Sequence, residues 1–512
     1  MTEILPWHEM AYITMLANWT QLAPGSADRY YSVRYIETLG FCKYNEGVFD
    51  PIPEELVPNL IFEEIFRSTF VTDKKGKTST VPETAQNLHV FKIKAQGWLY
   101  TPLAECDPYP LLAIANGILD ISDPTHPTLH EFSPKYVSIR KLPVKLLGER
   151  VLPAGGAIFD ACSEGELPFE IQRQETPKRN EMYKTYPTQV PALETWVQGV
   201  ILRDPRNAII PFIVGPKNSG KGTWLQIIER IFGPTAGHEA ISQLGDPRYG
   251  LYPLITKWVN IDREMTHKFR LDPEGMRVMK DVITHEGPMT VKKLYRDAFE
   301  TVLWLWFLAA TNQLPSLPEN ADRAAWFKRV MVVVFDQVMP SDETFKQAVA
   351  DEADKIFTNL ILGLADYEPL RPDGADVDKW ATEQEDLWEY WSSPAIQACL
   401  ALFAGGDEGD TIRVQYATAK VGEWLDEHQF SPPKDSRLTA DVTRALRSLH
   451  GGKECVKGRS GKPDRIYFNF RVKDEGDYAE WCEQNPLPPP KQADAKTAKA
   501  AGPRQKTLTE DA

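Results

Sequence analysis

A glycine-rich segment with a lysine near its end carries the clearest chemical signal in the sequence. GPKNSGKGT, residues 215–223, follows the apolar run AIIPFIV and precedes TWLQIIERIFG, whose apolar residues repeat with helical spacing. In a strand–loop–helix of this kind, backbone N–H groups surround phosphate oxygens and the helix N-terminus adds a favourable dipole. The segment predicts a binding site for the phosphates of ATP. Its predicted ligands are Gly215, Asn218, Ser219, Gly220, Lys221, Gly222 and Thr223.

Within this loop we expect Lys221 to reach the β- and γ-phosphates. The residue after the lysine usually supplies a hydroxyl to Mg²⁺, but here that residue is Gly222 and the hydroxyl comes one place later, at Thr223. We therefore expect ATP and Mg²⁺ as cofactors, with Thr223 contacting either the metal or a phosphate. The alternative, a chance glycine-rich turn, is disfavoured by the flanking strand and helix.

Two carboxylates follow the next informative apolar run. LITKWVNIDRE, residues 254–264, ends in Asp262 and Glu264 with Arg263 between them. ATP hydrolysis needs one carboxylate near Mg²⁺ and one that orients the attacking water. We assign Glu264 as the main catalytic carboxylate and Asp262 as the metal-side partner, although the two assignments could be exchanged. A solvated acidic turn is the alternative interpretation.

Further candidates come after the apolar run Leu303–Ala310. Asn312 follows that run, where a polar side chain beside the glycine-rich loop can contact the γ-phosphate or the attacking water; the alternative is an Asn that begins a turn. Arg323 and Arg329 precede the apolar run 330–335, and an arginine at a subunit edge can complete a neighbour's nucleotide site. We prefer Arg329, and a purely structural arginine is the alternative for each.

These residues need a mostly parallel sheet to hold them. From residue 208 to about residue 366, apolar strands alternate with helical patterns, which is typical of an α/β core. The predicted fold class is α/β: a P-loop ATPase core, an N-terminal α/β domain and a C-terminal winged helix. The clearest N-terminal strands are predicted in FKIKAQGWLY (91–100), LLAIANGILDI (111–121) and YVSIRKLPV (136–144).

The series of motifs GPKNSGKGT, KWVNIDRE, GPMTVKKLYRDAFE and ATNQLPSLPENADRAAWFKRVMVVVF resembles the phage and poxvirus primase–helicase group, the superfamily three helicases of AAA+ build. The resemblance covers roughly residues 90–400. It implies a homo-hexameric, ATP-driven helicase that acts on single-stranded DNA in the replication of a phage or mobile element, and it supports Glu264 as the catalytic carboxylate. Gly222 and Arg263 depart from the pattern.

In that group, the segment corresponding to Met279–Phe299 forms a hairpin that projects into the channel of the ring. Read from the residues, EGPM is a turn between two short arms. The cations beyond it could follow a phosphate backbone and the tyrosine could stack on a base, although an ordinary solvated cluster of charges is the alternative. The predicted DNA contacts of the hairpin are Lys292, Lys293, Tyr295 and Arg296.

The C-terminal part predicts a winged helix, with helices at 414–429 and 439–449 and a hairpin at 455–470. Its basic residues, of which we single out Lys457 and Arg459, could hold duplex DNA, although winged helices also bind proteins. The predicted segments are an N-terminal domain at 1–165, a helical collar at 166–205, the ATPase at 206–366, a helical linker at 367–410, the winged helix at 411–475 and a disordered tail at 476–512.

The composition limits the function. A formal net charge of -14 requires any DNA-binding surface to be local. The six cysteines show no C-x-x-C spacing, and no apolar run is long enough to cross a membrane, so we expect a cytoplasmic protein with reduced thiols. The first 90 residues contain no catalytic motif, which leaves a separate primase or polymerase as a partner. The rival functions are a DNA-loading ATPase that binds DNA without unwinding it and a P-loop phosphotransferase.

Overall fold

The computed structural model of the 512-residue chain divides into two compact units, Met1–Ser392 and Ser393–Ala512. The division falls within the segment 367–410 that we predict as a linker. The structure describes residues 7–22, 29–72, 77–150, 169–245, 250–265, 271–285, 287–292, 298–318, 322–339, 342–405, 411–427, 435–449, 466–468 and 470–484.

In its described residues, the N-terminal third of the chain combines small sheets with three α-helices. An antiparallel ladder β5–β4–β3, extended in parallel by β8, and the antiparallel ladder β11–β10–β9 are its larger sheets. The elements are α1 (Trp7–Asn18), β1 (Thr20–Leu22), β2 (Arg29–Tyr31), β3 (Val33–Ile36), β4 (Gly40–Asn45), β5 (Val48–Pro51), α2 (Val57–Ile61), β6 (Phe70–Thr72), β7 (Thr78–Thr80), α3 (Ala85–Trp98), β8 (Tyr100–Thr101), β9 (Leu111–Ile114), β10 (Gly117–Asp120), β11 (Thr128–His130), β12 (Gly148–Arg150) and β13 (Phe169–Ile171).

Of the three N-terminal strand predictions, only LLAIANGILDI is confirmed, as the hairpin of β9 and β10. FKIKAQGWLY lies mainly in helix α3, because Phe91, Ala95 and Leu99 are buried at helical spacing while Ile93 is 54% exposed. The side chain of Thr84 also accepts a hydrogen bond from the backbone of Asn87 and caps this helix. YVSIRKLPV is irregular chain with a single bridge to β9, so both of these strand predictions are wrong.

The central sheet is parallel throughout, and its strand order is β15-β16-β19-β14-β20. It confirms the predicted α/β core as a five-stranded sheet with helices. The elements of this region are α4 (Pro177–Thr185), α5 (Gln189–Ile201), β14 (Ile210–Val214), α6 (Lys221–Phe232), β15 (Ala236–Gly237), β16 (Val259–Asp262), α7 (Pro273–Thr284), β17 (Met289–Lys292), β18 (Ala298–Thr301), β19 (Trp306–Thr311), α8 (Arg323–Phe327), β20 (Val330–Val334), α9 (Glu343–Ala350), α10 (Ala353–Leu362) and α11 (Asp376–Ser392).

Both faces of this sheet are covered, which explains why its strands read as continuous apolar runs. Successive residues of a strand point to opposite faces. Accordingly Ile213 packs in a core with helices α5, α6 and α10, whereas Phe212 packs in a second core with α7, α8 and α11. Helix α11 also covers the β20 edge, where the side-chain amide oxygen of Gln384 accepts the backbone N–H of Val332 at 2.7 Å.

A buried ionic cluster joins the N-terminal elements to the start of β16. The Asp107 carboxylate accepts the backbone N–H groups of Ile139 and Arg140, and the Arg140 guanidinium lies 3.6 Å from the same carboxylate. Arg203 donates to the backbone carbonyl of Asp107, and both guanidinium groups lie over the Trp258 ring, at 4.5 Å for Arg203 and 5.5 Å for Arg140. Burial raises the pKa of Asp107 and lowers the pKa of both arginines, so the pairing offsets a desolvation cost.

The second unit is a small helical domain with two-stranded pairings β21–β24 and β22–β23. Helices α13 and α14 confirm the two predicted helices, whereas residues 451–465, including Lys457 and Arg459, lie outside the described residues. Helix α15 occupies the start of the segment predicted as a tail. The elements are α12 (Pro394–Leu402), β21 (Phe403–Gly405), β22 (Thr411–Arg413), α13 (Val414–Glu427), α14 (Asp435–Leu449), β23 (Ile466–Phe468), β24 (Phe470–Val472) and α15 (Glu475–Gln484).

Cys42, Cys106 and Cys399 are buried. None of the helices in the described ranges combines the length and the hydropathy that a membrane crossing requires.

Candidate functional site

The glycine-rich loop connects strand β14 to helix α6. Asn218 and Gly220 adopt positive φ values of 61° and 91°, which turn the chain tightly before the helix. Gly215 leaves β14 in close contact with the neighbouring backbone, and a Cβ atom there would overlap the carbonyl oxygen of Phe335. The loop therefore has the conformation and the position, at the N-terminus of a twelve-residue helix, that phosphate binding needs.

Lys221 is turned inward over this loop. Its Nζ atom donates to the backbone oxygens of Gly215 at 2.7 Å and Pro216 at 2.6 Å, and to the Ser219 hydroxyl at 3.2 Å. Burial lowers the pKa of Lys221 to about 8. The amine thus lies partly desolvated among neutral oxygens, and a phosphate would provide the opposite charge that these oxygens lack.

The two residues after the lysine differ in their surroundings. A Cβ atom on Gly222 would meet nothing within 4 Å, whereas Thr223 is 5% exposed. The open side of the first helical turn is therefore at Gly222, the position that usually carries the metal-binding hydroxyl. The assignment of Thr223 as a metal ligand remains a prediction, and its burial does not favour it.

The acidic turn lies at the same edge of the sheet, at the end of β16. The backbone N–H of Ile241 donates to Oδ2 of Asp262 at 2.9 Å, and burial raises the pKa of this carboxyl. Glu264 is exposed, which leaves its carboxylate accessible to solvent. Between them, Arg263 forms a two-pronged ion pair with Glu229 of helix α6 and so ties the turn to the helix that follows the loop.

Strand β19 lies between the glycine-rich strand and the acidic strand. Val214 pairs with Thr311 in the parallel register, so exposed Asn312 and Gly215 both come directly after paired residues on adjacent strands. The Thr311 hydroxyl donates to the backbone oxygen of Met265 at 2.8 Å, which fixes the acidic turn to β19. The ends of three parallel strands thus bring Lys221, Asn312 and the two carboxylates to one edge, as the sequence predicts.

Arg329 lies at the opposite edge, because it directly precedes β20 and the strands are parallel. The backbone oxygen of Arg329 accepts the N–H of Ile210 at 2.7 Å, at the start of β14, and its Nη1 donates to Ala325. The Arg323 guanidinium instead pairs with two carboxylates of helix α11, Glu385 at 2.6 Å and Glu389 at 2.7 Å. An arginine at this edge is separated from its own nucleotide site by the length of the sheet.

The predicted hairpin exists, but its bounds are shorter than Met279–Phe299. Met279 is buried within helix α7, which Pro273 opens and which continues to Thr284, so EGPM follows a helix and does not join two arms. The arms are β17 and β18, with Lys292 opposite Ala298, and Lys292 is exposed. Lys293, Tyr295 and Arg296 lie outside the described residues.

His285 closes the base of this hairpin. It adopts a positive φ of 52° at the end of helix α7, and its Nδ1 lies 2.9 Å from the backbone oxygen of Leu303, on the far side of the hairpin. Its ring stacks on Trp304 and contacts Trp306, each at 4.6 Å between centroids. The base of the hairpin is therefore in contact with β19, the strand that Asn312 follows.

Sequence reasoning missed two features of the site. One is the Arg263–Glu229 pair, which a spacing of 34 residues does not reveal. The other is Tyr186, whose buried hydroxyl lies 2.7 Å from the backbone oxygen of Ser219 in the glycine-rich loop. Neither contact leaves a local pattern in the sequence.

The donors at this edge fit a magnesium ion that is bound together with phosphates. Across the ranges that the structure describes, no cluster of three or more His, Cys, Asp or Glu side chains could hold a metal without help. Mg²⁺ is usually held by one or two carboxylates plus phosphate oxygens and waters, and not by a cage made only of protein. Asp262 and Glu264 supply that number of carboxylates.

The fold and the site therefore define an α/β protein with a five-stranded parallel sheet, which is compatible with a P-loop-like core. Comparison with known proteins gives one family match: residues 213–329 match a family model described as a family of unknown function (DUF5906). This range contains the glycine-rich loop, the acidic turn, the hairpin and both arginines. No curated protein matches the chain.

Solved structures with some similarity include two of the NrS-1 C-terminal region in its apo state. The A form has 13% identity and a TM-score of 0.41, over 90% of this chain and 98% of that one. The structure of residues 305–718 has 14% identity and a TM-score of 0.41, over 91% and 100%. A JCV helicase with a bound small molecule has 11% identity and a TM-score of 0.25, over 44% of this chain and 64% of that one.

Proposed function

We propose that this chain is an ATP-hydrolysing motor that moves along single-stranded DNA, a replicative helicase that works as a ring. The proposal rests on one observation about the parallel sheet. One edge of the sheet holds Lys221, Asn312, Asp262 and Glu264, and the other edge holds Arg329. The first set is what one subunit needs in order to bind and hydrolyse ATP, and the position of the arginine suits a second subunit.

In this proposal the backbone N–H groups of the loop and Lys221 bind the β- and γ-phosphates. Exposed Glu264 orients the attacking water and accepts its proton, and Asn312, one strand nearer to the loop, contacts the γ-phosphate or that water. Asp262 and Glu264 are the side chains that would hold Mg²⁺, which when bound neutralises the charge on the phosphates. Arg263 keeps the turn in place through Glu229.

The position of Arg329 favours an assembly of more than one subunit. Strand β20 has five residues, so at roughly 3.3 Å per residue the Arg329 end lies about 16 Å from the end that faces the loop. Arg329 therefore cannot stabilise charge on a phosphate bound to its own loop, and any such role is toward a neighbour. We propose a homo-hexamer on this basis, with Arg329 as the preferred arginine and Arg323, which pairs with Glu385 and Glu389, as the alternative.

DNA would be held by the hairpin. Lys292 is exposed on β17, and Lys293 and Arg296 follow it in the sequence. The hairpin is therefore locally positive although the chain as a whole has a net charge of -14. His285 connects the hairpin to the segment that leads into β19, and Asn312 follows that strand. A movement of Asn312 when the γ-phosphate is released would therefore be transmitted to the hairpin through these contacts.

The test is ATP hydrolysis with and without single-stranded DNA, for the wild type, for Lys292→Ala/Lys293→Ala and for Thr290→Ala. Thr290 is an exposed residue of the same strand, two positions before Lys292, and serves as the matched control. We expect DNA to stimulate the wild type and the control, while the double variant hydrolyses ATP at the basal rate without stimulation.

Two outcomes would redirect the proposal. Hydrolysis that is indifferent to DNA in all three proteins would reject the motor, and transfer of phosphate to a small acceptor would then indicate a phosphotransferase. Stimulation by DNA without displacement of an annealed strand would indicate a loading ATPase, which uses ATP as a switch.

A further inference from the structure

The outer side of the glycine-rich loop is held by the chain that leaves β20. The backbone N–H of Phe335 donates to Val214 at 2.8 Å, at the point where the loop begins. The backbone N–H of Met339 donates to the oxygen of Asn218, also at 2.8 Å. Residues 335–339 therefore run along the loop and bond to its backbone carbonyls.

Tyr186 adds a side-chain contact to the same surface. Its hydroxyl lies 2.7 Å from the backbone oxygen of Ser219 and 3.0 Å from that of Gln337. Both partners are carbonyls, so the hydroxyl is the donor, and its single proton is shared between them or favours the nearer oxygen. The ring is 1% exposed and lies 4.2 Å from the Phe335 ring, which leaves the hydroxyl little freedom to move.

These contacts fix the direction of the N–H groups on the inner side of the loop. In a planar trans peptide the C=O and the following N–H point in opposite directions. The bond from Met339 holds the Asn218 carbonyl outward, so the N–H of Ser219 faces inward. The Tyr186 hydroxyl holds the Ser219 carbonyl outward, so the N–H of Gly220 faces inward as well. Successive inward N–H groups form the concave anion-binding surface that phosphates occupy.

The position of Tyr186 is itself well determined. It follows helix α4, whose first N–H groups, those of Lys178 and Arg179, donate to the buried carboxylate of Glu352 at 3.0 Å each. The Arg179 guanidinium also forms a two-pronged ion pair with Glu194 of helix α5. Burial raises the pKa of Tyr186 to about 12, so the hydroxyl keeps its proton at neutral pH.

We propose that Tyr186 is a positioning residue for the nucleotide: its hydroxyl aims the Gly220 N–H at the phosphates from outside the loop. The inference rests on the proposed function, since it concerns the same ATP site. It gives residues 177–186, which the sequence analysis assigns to a helical collar, a direct role in that site.

The test compares Tyr186→Phe with Tyr183→Phe in the full chain. The first variant removes only the hydroxyl and keeps the buried ring. The second removes a hydroxyl from the same helix region, where Tyr183 is 40% exposed. Calorimetric titration with ATP gives the dissociation constant, while the stoichiometry reports the folded fraction separately, so partial unfolding of a variant does not obscure the result.

For Tyr186→Phe we expect affinity for ATP to fall by about three- to tenfold, the usual effect of losing one neutral hydrogen bond. Affinity for pyrophosphate should fall by the same factor, because the loop contacts phosphates and not the base. KM for ATP should rise while kcat stays near the wild-type value, since the N–H contact exists in both the ground state and the transition state. Tyr183→Phe should match the wild type throughout.

Wild-type affinity for ATP and pyrophosphate in Tyr186→Phe would overturn the inference. A fall in kcat with unchanged KM would also overturn it, because the hydroxyl would then act in the chemical step. If the wild type itself bound no ATP, the proposed function would fail before Tyr186 was tested, so the two failures are distinct.

Discussion

Alanine substitution at two glycines of the same loop, Gly215 and Gly222, should change the stability of the protein in opposite directions. At Gly215 a Cβ would overlap the Phe335 carbonyl oxygen, so the backbone of β14 or of the segment after β20 has to move. The bond between the Phe335 N–H and the Val214 oxygen, 2.8 Å long and buried, would be strained or lost. Leaving such buried groups unpaired costs about 1–3 kcal/mol, and the displaced backbone adds to it. We expect Gly215→Ala to destabilise the first unit by about 3 kcal/mol.

Gly222→Ala is the matched control. It lies in the first turn of helix α6, where a Cβ would meet nothing within 4 Å, so the substitution lowers the entropy of the unfolded chain without a clash. We expect a gain of about 0.5–1 kcal/mol. The pair therefore separates a glycine that is required by close backbone packing from one that is not.

Thermal unfolding measures both effects. For a unit of this size the unfolding entropy is about 0.8 kcal/mol/K, so Gly215→Ala should lower Tm by about 4 °C and Gly222→Ala should raise it by about 1 °C. A Gly215→Ala protein that melts within 1 °C of the wild type would show that Gly215 does not pack against Phe335 as described. A destabilised Gly222→Ala protein would contradict the open surroundings of that residue.

Two further predictions concern other parts of the first unit. Burial against two tryptophans lowers the pKa of His285 to about 4. Below about pH 6.5 the imidazole of the unfolded chain takes up a proton, whereas the imidazole of the folded chain stays neutral. The free energy of unfolding should therefore fall by up to about 3 kcal/mol as the pH drops from 6.5 to 4. In His285→Asn the plot of Tm against pH should be shallower over this range, and an unchanged slope would contradict the buried neutral ring. Lys221→Ala and Arg329→Ala should each be inactive in ATP hydrolysis yet regain partial activity when mixed, because the arginine acts on a neighbour. Arg323→Ala should keep its activity without mixing, and failure of the first pair to complement would refute the assignment of Arg329.

The sequence predicted the central sheet because its strands are buried on both faces. Runs such as AIIPFIV and VLWLWFLAA are typical of strands that are buried on both faces of a parallel sheet. The polar residues that follow these runs therefore lie at the edge of the sheet that holds the candidate site. This places Lys221, Asp262 and Asn312 correctly relative to one another without any long-range information. The chemical roles of these residues stay predictions.

The errors have physical causes. In residues 91–100 polar and apolar residues alternate at several positions, which suggests a strand, but the buried positions Phe91 and Ala95 are four residues apart and the Thr84 cap selects a helix. Residues 136–144 contain Arg140, which is buried in an ionic cluster and does not point to solvent as an alternating strand would require. Tyr186 could not be found from spacing, because its hydroxyl partner is 33 residues away and is a backbone oxygen.

The buried cluster of Asp107, Arg140 and Arg203 has a consequence for how this chain can change over time. Its charges all precede residue 206, but both guanidinium groups lie over the Trp258 ring of the ATPase region, and Ile36 and Phe49 share an apolar core with Phe212 of the central sheet. A gene rearrangement that moved residues 206–366 alone into another protein would remove Phe212 from the core that contains Ile36 and Phe49, and it would expose the Trp258 ring that the two guanidinium groups cover. Residues from about 36 to 392 are therefore expected to be inherited together, whereas the second unit, with its own apolar core, is free to be exchanged.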